Sequence, residues 1–193
     1  MTMKVTLLVY AGYITFFALL VGSVFFVPYL AFKQDMQAYY TAFSYTCHQK
    51  LSRSLCLFSG TTGYWIADCL PHGGYVSDPV DRKEINVEDA TGAIGYKLPV
   101  CARDLGLYCA MLIGGLFYPF VKKLDEHLMY PGIFLILAMV PIGLDGGIQL
   151  ISEFGLLPFV YESTNLLRLI TGAIAGFVAA FYAIDILLNM FDK

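Results

Sequence analysis

Cys47 and His48 set two soft ligand atoms side by side, and Cys101 begins a second cluster that continues through Arg103 and Asp104. Thiolate sulfur, imidazole nitrogen and carboxylate oxygen are the usual donors of four-coordinate zinc. Cys47, His48 and Cys101, with a carboxylate such as Asp104, therefore make a chemically sound set for zinc or another divalent transition metal. A helix expected from Pro99 places Cys101 in its first turn, where unpaired N–H groups, the positive dipole end and the Arg103 charge all favour the thiolate. Against this stands the divergence of adjacent side chains on a helix, which pulls Cys47 and His48 apart. Two other fates compete with metal: a disulfide of Cys47 or Cys56 with Cys101 or Cys69, and inert thiols. The residues alone leave the three open.

A second group is charged or amide-bearing and lies within apolar sequence. Asp145 and Gln149 are four residues apart, on one face of a helix; Asn165 and Arg168 stand at the start of another. A charge in the apolar region costs at least about 2.5 to 3.5 kcal/mol, so Asp145 needs a partner, and Arg103 and Arg168 are the candidates. Gly143, Gly146 and Gly147 surround Asp145, and Pro141 precedes it by one turn, which opens room for a cavity or a close backbone approach. Gln49, Arg103, Asp104, Asp145, Gln149, Asn165 and Arg168 form the candidate binding cluster. The same residues can equally act as interhelical fasteners.

The elements that must position these groups are membrane helices. The 193 residues are 58% hydrophobic and only 14% charged, against about a quarter charged in soluble domains. A bilayer core of about 30 Å takes roughly 20 apolar residues in helix. Four segments qualify: Val5 to Phe32, Pro99 to Phe120, Ile133 to Ser152 and Thr164 to Met190. The first is too long for a signal-peptide core and reads as a retained helix. The expected fold is all-α, a single membrane domain of about four helices with a long loop from Lys33 to Leu98. Within that loop Met36, Tyr39, Tyr40, Phe43 and Cys47 recur at helical spacing and predict an amphipathic helix packed on its own protein. Gly73 to Gly95 reads as a solvated loop.

With four helices, both termini and the connection between the second and third share a side. That side holds Lys4, Lys122, Lys123 and Lys193, so both termini are expected in the cytoplasm of a multi-pass cell-membrane protein, with the long loop outside. The second helix then begins outside, the third ends there, and the fourth begins there behind the capping residues Ser163, Thr164 and Asn165. All the polar groups of interest meet at that one level, whichever way the protein faces.

Other residues carry less. Cys109 reads as a small hydrophobe inside a helix, His127 as a solvated loop residue, and His72 as loop with a ligand pairing to Cys69 as the alternative. Asp78, Asp81, Glu84, Glu88 and Asp89 lack the spacing and central glycine of a calcium loop. No phosphate-binding glycine loop, His-Glu-x-x-His or Gly-x-Ser-x-Gly occurs. A net charge of −3 without a basic block gives nucleic acid no electrostatic footing.

Taken together, Cys47-His48-Gln49, Arg53-Ser54-x-Cys56-x-Phe58 and Leu98-Pro99-Val100-Cys101-Ala102-Arg103-Asp104-x-Gly106-x-Tyr108 resemble the DUF2085 family of small prokaryotic membrane proteins. Pro141-x-Gly143-x-Asp145-Gly146-Gly147-x-Gln149 and Glu162-Ser163-Thr164-Asn165-x-x-Arg168-x-x-Thr171-Gly172 extend the resemblance to about Gly176. It departs from the family pattern at Asp104, where a second cysteine would complete a Cys-x-x-Cys pair, and over 59–94, which reads as an insertion. The family is a domain of unknown function, so the resemblance implies a shared site and no particular activity.

The leading expectation is a membrane protein whose outer polar cluster binds a lipid or small molecule or supports metal chemistry, with membrane lipid as its surroundings. The sequence does not decide whether it is an enzyme. The alternative is a structural or accessory subunit, with the Gly172-x-x-x-Gly176 face packing on a partner helix or a second copy. A small transporter is third, since four helices are few and no inverted repeat is evident.

Overall fold

The computed structural model describes residues 3–47, 50–61, 63–70, 86–124, 126 and 128–191. Its helices are α1 (Met3–Ala31), α2 (Gln37–Phe43), α3 (Ala102–Val121), α4 (Ile133–Glu153) and α5 (Asn165–Met190), and its strands β1 (Leu55–Gly60), β2 (Gly63–Asp68), β3 (Asn86–Glu88) and β4 (Ile94–Lys97). Among the described residues α1, α3, α4 and α5 are long and apolar enough to cross a membrane. Their bounds lie within three residues of those read from hydropathy. The largest shift is at α3, which begins at Ala102 rather than Pro99. The Cys101 backbone N–H points to the Cys47 sulfur, at 3.2 Å, so Cys101 is extended and caps the helix from outside its first turn.

α3 and α5 form the spine. A Cβ on Gly106 would stand 2.2 Å from the Leu169 carbonyl oxygen, and one on Gly172 or Gly176 would stand 2.2 or 2.3 Å from the Arg103 or Leu107 carbonyl oxygen. Only glycine lets the two backbones approach this closely. The Gly172-x-x-x-Gly176 face is thus occupied within the chain, not by a partner helix. α1 fastens to α3 through Tyr13, whose hydroxyl donates to the Met111 carbonyl at 3.1 Å, and through Tyr10, which donates to the Gly115 carbonyl at 2.9 Å. α4 packs mainly on α5 and leaves Ile136, Leu137, Val140 and Leu144 exposed, as a lipid-facing helix does.

The all-α expectation needs correction. The loop holds an antiparallel four-stranded sheet of order β2-β1-β4-β3. β1 alternates burial along its length, with Cys56 and Phe58 turned inward, the period-2 pattern of a half-buried strand. β3 and the first half of β4 lie in the segment read as solvated loop; the strands are three and four residues long, too short to stand out in composition. Gly95 faces Phe58, where a Cβ would meet the ring at 2.5 Å, and Phe58 stacks on Trp65 at 5.8 Å. Cys56 and Cys69 form a disulfide beneath this pair, which settles one of the pairings left open and contributes on the order of 3 kcal/mol by closing a short loop. The carboxylates Asp78, Asp81 and Glu84 and the candidates His72 and His127 lie outside the described residues.

The amphipathic helix is present as the short α2, packed on its own protein: Met36 and Tyr40 are buried against Val27 and Ala31 of α1. The Tyr40 hydroxyl donates to the Lys97 carbonyl, and Leu98 and Val100 continue from β4 into a cluster with Val24. The sheet is therefore clamped to the end of the bundle where α3 and α5 begin.

The close α3–α5 approach predicts a position-specific sensitivity. Gly172→Ala should lower stability by about 1 to 3 kcal/mol through overpacking. Gly12→Ala, where a Cβ meets nothing within 4 Å, should be neutral or mildly stabilising. Thermal unfolding of both variants in detergent makes the comparison, and equal melting temperatures would contradict the backbone contact.

Candidate functional site

The start of α3 supplies Arg103 and Asp104, the outer part of α4 supplies Asp145 and Gln149, and the start of α5 supplies Asn165 and Arg168. Thr164 caps α5 by accepting from the Leu167 N–H at 3.2 Å, which fixes the turn carrying Arg168. These residues do meet at one end of the bundle, in two connected layers.

The inner layer is an ion-pair network. Asp145, 5% exposed, accepts from Arg103 Nη2 at 2.5 Å and from the Tyr161 hydroxyl at 2.9 Å. Gly146 leaves the room this needs, since a Cβ there would stand 3.1 Å from Arg103 Nη1. Of the two partners the sequence offered Asp145, the structure uses Arg103. Arg168, 2% exposed, instead donates to Glu162 Oε1 at 2.5 Å and to Asn165 Oδ1 at 3.2 Å. Glu162 Oε1 also accepts from Gln149 at 3.0 Å and from Arg53 Nε at 3.2 Å. Arg53 and Lys50 both reach Glu153. Asn165 ties the layer to the sheet, donating to Asp68 at 2.9 Å and towards the Ser54 carbonyl at 3.4 Å.

The outer layer is a cavity of about 210 Å³, lined by Cys47, Cys101 and Asp104 together with Lys50, Arg53, Arg103 and Arg168. The donor atoms of Cys47, Cys101 and Asp104 all lie within 4.8 Å of one another, and the Cys101 sulfur is 3.2 Å from Asp104 Oδ2. A hydrogen bond from Cys47 holds the Cys101 thiol below its ordinary range, against burial and the Asp104 charge, which push it up. Cys47 and Cys101 keep their thiols, as does Cys109. His48 and Gln49 lie outside the described residues.

Sequence reasoning missed Lys50, Glu153 and Tyr161 and left Arg53 and Glu162 as motif letters without a role. Glu162 was findable, because its motif also carries the cluster residues Asn165 and Arg168. Tyr161 reaches Asp145 only through the turn between α4 and α5, which no local pattern marks.

A second buried pair sits at the opposite end of the bundle. Lys122, read from sequence as a loop charge, is 5% exposed and binds Asp185 at 2.7 Å, while the Tyr118 hydroxyl donates to the same oxygen at 2.6 Å. It lies far from the cavity residues in the fold and brings no thiol or arginine with it.

Four helices long and apolar enough to cross a membrane, under a clamped sheet, fit a multi-pass helical membrane protein. Residues 92–182 match the profile of a family described as "Predicted membrane protein (DUF2085)". An uncharacterized protein of Methanocaldococcus jannaschii is 31% identical over 179 residues, covering 89% of this chain and 87% of that protein. The chain belongs to the DUF2085 family. The profile match takes in Cys101 to Arg168 and leaves Cys47, Lys50 and Arg53 outside it. No solved structure matches the chain.

The Arg103–Asp145 pair makes a quantitative prediction. Asp145→Asn strands the Arg103 charge and should cost about 3 kcal/mol, the low end for a broken buried pair because Arg103 keeps 23% side-chain exposure. Replacing both residues by apolar side chains of similar size should recover much of that loss. Chemical denaturation in detergent measures it; an Asp145→Asn protein as stable as the wild type would remove the pair from the account.

Proposed function

We propose that this protein binds a divalent transition metal, zinc foremost, at the cavity wall and uses it to hold or activate a small ligand at the membrane surface. The observation that carries this reading is the convergence of two thiols and a carboxylate, Cys47, Cys101 and Asp104, within 4.8 Å on the wall of a cavity. Three protein donors with a fourth position facing open space is the arrangement of catalytic rather than structural zinc. The metal bound there would act as a Lewis acid. The lowered Cys101 thiol accords with a thiolate ligand. These are three of the four donors of the sequence-derived set; the remaining one, His48, lies outside the described residues.

The orientation we favour puts both termini in the cytoplasm and the sheet and cavity outside. Besides the lysine distribution, the Cys56–Cys69 disulfide supports it, since such bonds persist mainly in oxidising compartments. A membrane-impermeant reductant followed by an impermeant alkylating reagent should modify Cys56 and Cys69 in intact cells. Modification only after permeabilisation would reverse the orientation.

A second reading has its own support. Arg103–Asp145, Arg168–Glu162 and Arg53–Glu153 link α3, α4, α5 and the loop, which is what a structural or accessory subunit needs. The two readings diverge on metal content. Elemental analysis of protein purified without chelator or a nickel column should find close to one zinc or iron per chain, and Cys101→Ser and Asp104→Asn should each lower it. Metal-free protein containing a Cys47–Cys101 disulfide by mass spectrometry would instead favour the structural reading.

A further inference from the structure

The cationic side of the cavity has a composition the metal does not explain. Lys50, Arg53, Arg103 and Arg168 line it, against one carboxylate, Asp104, among the described residues. The acids that pair with these cations, Asp145, Glu153 and Glu162, stand behind the wall and not on it. Their pairing also leaves donors over. The Nε–H groups of Arg103 and Arg168 are buried and have no hydrogen-bond partner among the described residues. Arg168 is only 2% exposed, so its Nε–H is shut off from bulk water. A buried donor left unmade is costly, and a charged one more so. Both side chains border the cavity together with Lys50 and Arg53, so a ligand that enters it meets four cationic side chains.

The surrounding backbone favours the same sign of ligand. α3 and α5 both begin at this level, so their positive dipole ends and the peptide N–H groups of their first turns add to the guanidinium charges. The contact of Gly172 with the Arg103 carbonyl holds the two helix starts together. Arginine N–H groups arriving from different helices, with an ammonium beside them, suit an acceptor that offers oxygens in several directions. A carboxylate offers two oxygens in one plane, whereas a phosphate offers three or four around a tetrahedron. At about 210 Å³ the cavity is large against the roughly 30 Å³ of a water molecule and admits such a group with water around it.

We infer that the cavity is a binding site for a phosphate group, received by the guanidinium groups of Arg103 and Arg168 with Lys50 and Arg53 at its rim. This names the ligand class of the cavity and rests on the reading of that cavity as a binding site, but its donors are distinct from Cys47, Cys101 and Asp104. The phosphate belongs either to a soluble ion or to a lipid headgroup, because the cavity opens where the helices leave the bilayer.

The test uses the full chain in an uncharged maltoside detergent and follows its melting temperature. Three probes are titrated: inorganic phosphate, short-chain phosphatidylglycerol, and a short-chain monoacylglycerol that lacks phosphate. A saturable rise with inorganic phosphate identifies a soluble ligand. A rise with phosphatidylglycerol alone identifies a lipid headgroup. Either supports the inference if Arg168→Lys, which keeps the charge but removes the Nε–H and the planar fork, weakens the effect at least about tenfold. Arg53→Gln, at the rim, provides a second reading that should weaken binding even if Arg168→Lys fails to fold. No rise with either phosphate probe, a rise equal to that with monoacylglycerol, or affinity unchanged in Arg53→Gln and in a folded Arg168→Lys would overturn it. Metal content measured on the same samples separates the two proposals: zinc without phosphate binding leaves the metal reading standing alone, and phosphate binding by zinc-free protein leaves this one.

Discussion

The approach of α3 to α5 at backbone contact is the constraint from which the rest of the molecule follows. In a bilayer, helices gain nothing from hiding apolar side chains from lipid tails, so association depends on close packing and on polar contacts between helices. Gly106, Gly172 and Gly176 supply the packing, each against a carbonyl of the opposite helix. Because Gly172 rests on Arg103, the turn of α5 that bears Arg168 is held beside the first turn of α3. Two guanidinium groups are thereby brought to one place, and two like charges so close require carboxylates from elsewhere. Asp145 on α4 and Glu162 in the turn before α5 answer that need, which in turn fixes where α4 can lie.

The placement of charge along the bundle obeys the same economy. Ionised side chains in the spanning helices gather near the two ends: Arg103, Asp145 and Arg168 at the cavity end, Asp185 with the adjoining Lys122 at the other. The middle of the spine is held by apolar side chains and tyrosine hydroxyls that donate to helix carbonyls. The two polar ends differ in kind. Lys122 and Tyr118 share one oxygen of Asp185 in a closed knot, whereas the other end spreads its ion pairs behind a cavity and extends them to Arg53 and Lys50 of the loop. Loop and bundle are thus one electrostatic unit at that end, and the sheet holds the loop residues in register with the helices.

How much of this was legible follows from the strength of each signal. Four apolar stretches of about twenty residues have few alternative readings, so helices and their ends were visible to within a turn. The cluster of Arg103, Asp145 and Arg168 was visible because charge inside such a stretch demands a partner. Which partner was not, since Arg103 and Arg168 are equivalent until the rotation of α4 is known. The strands escaped because three- and four-residue segments such as Asn86–Glu88 and Ile94–Lys97 carry too little periodicity to compete with the glycines and acids around them. Cysteine pairing was likewise underdetermined. The register that sets Leu55 opposite Asp68 brings Cys56 to Cys69 and leaves Cys47 to Cys101, and that register exists only once the sheet does.

The contrast between the two polar ends also bears on whether the larger cluster serves only to join helices. Fastening is best served by groups that satisfy one another, since each donor left over subtracts from the stability the pair supplies. At the Lys122 end the cationic group is engaged by Asp185, by the Leu128 carbonyl and by the Tyr130 ring, although Asp185 Oδ2 has no hydrogen-bond partner among the described residues. At the cavity end the acids engage the outer nitrogens of Arg103 and Arg168 and leave both Nε–H groups unmatched among the described residues. Glycine at position 146 maintains the space for the Arg103 guanidinium where any larger residue would press on it. Thiols and a carboxylate line the same cavity, where a seam between helices would be better filled by apolar side chains. Space, cationic side chains and ligating atoms share one small surface at this end and not at the other among the described residues, and it is this combination on which the proposed binding reading rests.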